Sequence, residues 1–234
     1  MNNNLDPNKI VDTIHRLHKR ISERFPDAGL GKVCKQLHTI ATETQSLRSW
    51  IRKPHIMFRV GMIFAVILFF FVFVAGIGFS VKFSFQEMEF ADFLQVLDAG
   101  INIIILLSAA LFFLVTAETR RKRNRAIIAI HQLRALAHVI DMHQLTKDPE
   151  GAFSNEKKTP SSPRQTMNVF ELTRYLDYCT EMLSLVGKVA ALYVQDLDDP
   201  VVLGAVNDVE NLTTGLSRKI WQKIMIIYRF KQRT

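Results

Sequence analysis

VGMIFAVILFFFVFVAGIGFSV (residues 60–81) carries no charge over 22 residues, where a helix crossing the hydrocarbon core of a bilayer needs about 20. A second uncharged run, AGINIIILLSAALFFLVTA (residues 99–117), covers 19 residues and is closed by Glu118 and the basic group Arg120, Arg121, Lys122, Arg123 and Arg125. The two runs predict a transmembrane helical hairpin within residues 54–119, its spans near 60–81 and 99–117. The connection between them is too short for an outer domain. It carries Phe83, Phe85, Met88, Phe90, Phe93, Leu94 and Leu97 among its acids, and residues 90–97 read as an extension of the second span or a helix in the interface.

Charge orients the hairpin. Residues 1–59 hold 11 Lys/Arg against 5 Asp/Glu, residues 60–98 hold Lys82 alone against Glu87, Glu89, Asp92 and Asp98, and residues 118–145 hold 6 basic against 2 acidic side chains. Basic flanks stay cytoplasmic, so both termini are expected in the cytosol and the acidic connection outside, in a plasma (inner) membrane protein. Arg52, Lys53, Arg59, Arg120, Arg121, Lys122, Arg123 and Arg125 are the expected membrane-surface cations, with anionic lipid headgroups as their partners. The net charge of +8 and the pI near 9.6 would also suit nucleic acid. Concentration of the excess beside the apolar runs argues for orientation instead, and no nucleic-acid partner is expected.

Mean hydropathy of only +0.10 across 234 residues means that the remainder is strongly polar, which disfavours a polytopic transporter. No apolar run of signal-peptide length precedes residue 50, so the first span is expected to act as its own uncleaved targeting element. Cys34 and Cys179 fall on the expected cytosolic side, where thiols stay reduced.

Outward from the hairpin, periodicity predicts helices throughout. Asp6-Pro7 is an N-cap followed by proline at the first helical position, and Ile10, Ile14, Leu17 and Ile21 recur at spacings of 4, 3 and 4. After the break at residues 26–31, Val33, Leu37, Ile40, Thr44, Leu47 and Ile51 form a second stripe, which Pro54 ends. Residues 1–53 therefore read as a cytosolic helical hairpin. Residues 120–147 lack a helix breaker and read as a cytosolic extension of the second span, with Leu133, Leu136 and Ile140 on its apolar face. Residues 148–166, with three prolines, read as a flexible linker. Residues 167–234 read as a second hairpin, opened by a capping box at Asn168 and Glu171. Its first helix bears Leu172, Leu176, Cys179, Leu183, Val186, Ala190, Tyr193 and Leu197; its second, capped by Asp199-Pro200, bears Val202, Ala205, Val209, Leu212, Leu216, Ile220, Ile224 and Ile227. The basic tail beyond Arg218 suits either an anionic membrane surface or the end of a bundle helix.

Two groups could carry chemistry. Asp98, Asn102, Ala109 and Thr116 fall on one line of the second span and could face a pore or an oligomer partner; alternatively, Asn102 bonds to the first span and Thr116 returns its hydroxyl to the backbone. His131, Arg134, His138 and Asp141 share a face at spacings of 3, 4 and 3. His131 and His138 stand roughly 10.5 Å apart along the axis and cannot share an ion, so a metal site would rest on His138 and Asp141 with further ligands from Asp177, Cys179 or Glu181. A polar network among Arg134, His138 and Asp141 at a bundle seam is the simpler expectation. No P-loop, dinucleotide fingerprint, nucleophile elbow, zinc-protease or paired-cysteine motif is present, so neither a cofactor nor an enzymatic activity is expected.

The fold class that follows is all-α: a two-span hairpin with a cytosolic bundle built from the N- and C-terminal helices. The expected function is an oligomeric scaffold or interaction module that couples the bilayer to this bundle, as a homo-oligomer and possible binder of a cytosolic protein. A homo-oligomeric ion channel or membrane-permeabilising effector, and a metal-dependent membrane-anchored enzyme, are the alternatives.

Overall fold

A computed structural model describes residues 4–52, 60–61, 64–67, 70–71, 90–149, 160–161 and 167–232. Among them every regular element is an α-helix. The chain divides into two compact units, residues 1–52 with 123–234, and residues 53–122.

The first unit is a helical bundle. α1 (Pro7–Arg24) starts where the Asp6 carboxylate accepts from the Asn8 and Lys9 amides, and it buries Ile10, Ile14, Leu17 and Ile21. The Phe25 amide closes its end on the Ile21 carbonyl at 2.8 Å. α2 (Gly29–Arg52) returns antiparallel: Gln45 donates to Asn8 at 3.1 Å near one end, and Gly31 lies against Ser22 and Ile21 near the other. Leu30, Val33, Leu37, Ile40 and Ile51 are buried along it. α3 (Phe90–Leu145) contributes its residues beyond Arg123 to this unit, where Ala126, Ile130, Leu133, Leu136, Ala137 and Ile140 are buried.

α4 (Val169–Val194) is the central helix, packed on α1, α2 and α5. Its capping box is formed in both directions, Asn168 accepting from the Glu171 amide and Glu171 from the Asn168 amide, each at 2.9 Å. α5 (Pro200–Lys231) begins at the Asp199 cap and buries Val202, Val206, Val209, Leu216, Ile220, Ile224 and Ile227. Each fully buried Leu or Ile contributes about 1.5–3 kcal/mol, so the apolar stripes supply the driving force and the caps set where each helix begins. Ile220, Ile224 and Ile227 place the basic tail in the bundle, with Trp221 and Tyr228 exposed.

The second unit contains residues 90–122 of α3 and helical residues at 60–61, 64–67 and 70–71. Most of its described large apolar side chains are exposed, with Phe112 at 74%. One helix among the described residues, Gly100–Leu145, is long and apolar enough to cross a membrane. The expected first span at 60–81 lies largely outside the described residues, as does most of the linker at 148–166. The helix begins at Phe90, so residues 90–97 do extend the second apolar run.

Candidate functional site

The chain leaves the bundle after Arg52 and returns at Arg123, and both points lie at the end where α4 turns into α5. A charged collar is built there from three segments. Arg48 of α2 donates through Nε to Asp196 Oδ2 in the α4–α5 turn; the two side chains are 8% and 1% exposed. Arg48 Nη2 lies 3.4 Å from Gln195 Oε1, while Nη1 is buried with no partner among the described residues. Asp199 serves two helices at once. Its Oδ1 accepts from the Val201 and Val202 amides at 3.0 and 3.2 Å, and its Oδ2 accepts from Arg123 Nε of α3 at 2.7 Å. Burial alone would raise the Asp199 carboxyl, but the Arg123 hydrogen bond and the two amides outweigh it and hold the pKa below its ordinary value. Arg125 stacks over Trp50 at 4.1 Å, a geometry worth about 0.5–2 kcal/mol. Thr44 donates to the Ile40 carbonyl at 2.7 Å, so its contact of 3.0 Å with Tyr193 is one in which the phenol donates.

The expected membrane-surface cations therefore divide. Arg123 and Arg125 are engaged by the bundle, and Lys122 pairs with Glu118 one turn away at 2.8 Å. Arg120 and Arg121 are exposed. Lys53, Arg59 and the Arg52 side chain lie outside the described residues. Arg48 and Asp196 were not among the sequence candidates. The available signal was Arg48 itself, four residues after Thr44 and three before Ile51 on an otherwise apolar stripe.

On α3 the polar line turns inward on its own helix. Asn102 Nδ2 donates to Asp98 Oδ2 at 3.3 Å; the expected bond to the first span falls largely outside the described residues. Thr116 donates to the Phe112 carbonyl at 2.8 Å, and Ala109 is exposed. Further along, no hydrogen bond or ion pair joins Arg134, His138 and Asp141 among the described residues. His131, Arg134 and His138 are exposed, because the buried face of α3 runs through Ile130, Leu133, Ala137 and Ile140. Asp141 instead accepts from Gln144 Nε2 at 2.6 Å. No three or more His, Cys, Asp and Glu side chains among the described residues are gathered for a metal.

At the far end, Lys223 donates to the Gln144 and Lys147 carbonyls at 2.7 and 3.1 Å, closing the C-terminus of α3. Burial lowers its pKa, against the pull of Asp148, Asp141 and Cys179. Tyr175 and His143 meet at 3.4 Å in a cleft of about 440 Å³ with Gly29 and Lys147; burial and then Lys147 lower the His143 pKa. Burial pushes the Cys34 and Cys179 thiols up to about 12, which keeps both protonated and unreactive at neutral pH.

The surface that fits an interaction role lies on α3 within the bundle unit. Ile128, Gln132, Ala135, Val139 and Met142 are all exposed and recur at spacings of 4, 3, 4 and 3, with Ile128 at 61%, Val139 at 41% and Met142 at 66%. Beside the stripe, Ile40, Leu47, Ile128, Ala129, Gln132 and Tyr193 line an apolar groove of about 300 Å³. Such spacing is that of coiled-coil seam positions, where each knob enters a hole on a like stripe. Comparison with protein-family models, curated proteins and solved structures finds no match.

Proposed function

We propose that the chain is a two-span membrane protein with both termini in the cytosol, a scaffold whose cytosolic bundle associates with further copies of itself through the exposed stripe of α3. The observation that carries this reading is the seam-spaced run from Ile128 to Met142, left uncovered on a helix whose opposite face is buried. The stripe is about 21 Å long, too short to pair helices in free solution. Anchoring changes that balance: copies in one membrane share an orientation, which makes their stripes parallel, and confinement raises their effective concentration. Gln132 takes a core position of the seam, where a single polar residue selects register and a small oligomer at some cost in stability. The groove beside Ile128 offers a hole for a partner's knob. Large exposed apolar side chains such as Leu106, Phe112 and Phe113 support a lipid surround for the apolar part of α3, since water there would cost roughly 25 cal/mol per Å².

Cysteine cross-linking in native membranes tests the reading. Ala135→Cys and Met142→Cys should form symmetric disulfide-linked dimers, while Arg134→Cys should not. The buried Cys34 and Cys179 leave the background low. A chain that stays monomeric at every position tried, or cross-links equally from Arg134→Cys, would remove the proposal.

A further inference from the structure

The solvent edge of the α1–α2 pair holds three histidines that take no part in the collar or the stripe. His15 and His38 face each other across the two helices, with ring centres 5.5 Å apart and planes inclined by 52°. His18, one turn along α1, lies within electrostatic reach of His15, Lys35 and His38. Two imidazoles that bind one tetrahedral ion through nitrogens at about 2.0–2.1 Å have ring centres about 5 Å apart, close to the observed separation, so rotation of the two rings to aim one nitrogen of each at a common point would complete the seat. His15 is exposed and His38 half-buried, which leaves a path for an ion and its water. Imidazole donors suit Zn²⁺, Ni²⁺ and Cu²⁺ rather than Mg²⁺ or Ca²⁺. Lys35 adds positive charge at the His18 end, which favours coordination at the His15–His38 end.

We infer that His15 and His38 form an open two-ligand seat for a divalent ion of the zinc and nickel class, tying α1 to α2, with water filling the remaining positions. The ion would bridge two helices that otherwise meet through the apolar stripe of Ile14, Leu17, Cys34 and Leu37, and so would tighten the hairpin farthest in sequence from the scaffold stripe.

The test uses the untagged full-length chain in detergent micelles, titrated with Zn²⁺ by calorimetry and with Co²⁺ by visible absorbance. One ion per chain is expected, with affinity reduced at least tenfold in His15→Ala and in His38→Ala, and no change in His131→Ala. The wild-type chain gives an independent measure: Zn²⁺ should protect His15 and His38 from diethylpyrocarbonate and leave His131 and His138 reactive. Binding that persists in the His15→Ala/His38→Ala double variant, no saturable uptake below millimolar metal, or protection confined to His131 and His138 would overturn the inference.

Discussion

Replacing Asp196 by alanine puts the collar to its hardest test. The carboxylate is 1% exposed and its partner Arg48 is 8% exposed, so the change strands a guanidinium that cannot recover its hydration without opening the end of the bundle. Arg48 is already short of partners: Nη1 has none among the described residues and Nη2 reaches Gln195 only at 3.4 Å. Breaking a buried pair from one side costs about 3–5 kcal/mol, a large share of the roughly 5–15 kcal/mol that holds an ordinary domain together. Removing both charges should behave differently, because Arg48→Leu/Asp196→Leu takes away the desolvation penalty along with the attraction. The double variant should lie within about 1 kcal/mol of the parent or above it. Denaturant unfolding of the bundle in detergent, followed by pulse proteolysis, gives both values on one scale. A single variant that loses less than about 1 kcal/mol, or a double variant as damaged as the single one, would show that the pair is solvated and that the reasoning from its burial is wrong.

Asp199 should make stability depend on acid: its folded pKa is depressed, so its contribution is fully present above the ordinary carboxylate range and is lost as pH falls through the lower folded value. Asp199→Asn keeps a capping oxygen but weakens the Arg123 bond, and should cost about 1–2 kcal/mol at pH 7, the gap from wild type closing as unfolding curves are taken towards pH 3. Gly29→Ala would set a methyl group 2.7 Å from His143 Cε1; a loss of about 1–3 kcal/mol is expected, and His143→Ala in the same chain should restore it. Val139→Glu and Met142→Asp should abolish cross-linking at Ala135→Cys while shifting the thermal midpoint little, since both positions are exposed; a collapse of the midpoint would mean that the stripe is internal packing.

Where apolar periodicity was strong, the sequence read well: Ile10, Ile14, Leu17 and Ile21, and the α4 stripe from Leu172 to Tyr193, are buried as expected. The caps at Asp6, Asn168 and Asp199 read well too, because capping is decided within four residues. The α2 stripe is buried too at Val33, Leu37, Ile40, Thr44 and Ile51, with Leu47 packed against the core. What the stripe did not show is that Arg48, beside Leu47, is buried as well. Arg48 and Asp196 are 148 residues apart, and nothing local in either announces the other. His131, Arg134 and His138 share a face beside the apolar stripe, as their spacing implies, and that face is exposed. Its neighbours Ile130, Leu133 and Ala137 take the core, and a helix of 3.6 residues per turn leaves the adjoining face to solvent.

One carboxylate with two duties has a mechanical consequence. Asp199 is at once the start of α5 and the anchor of Arg123. Any sideways tug on α3 at that point competes for the same oxygen pair that keeps the first turn of α5 wound. Strain arriving along α3 would then register as fraying at Val201 and Val202, just past a cap that lies 76 residues from Arg123 in the chain, and the last helix would loosen from its beginning while Lys223 still held on further along.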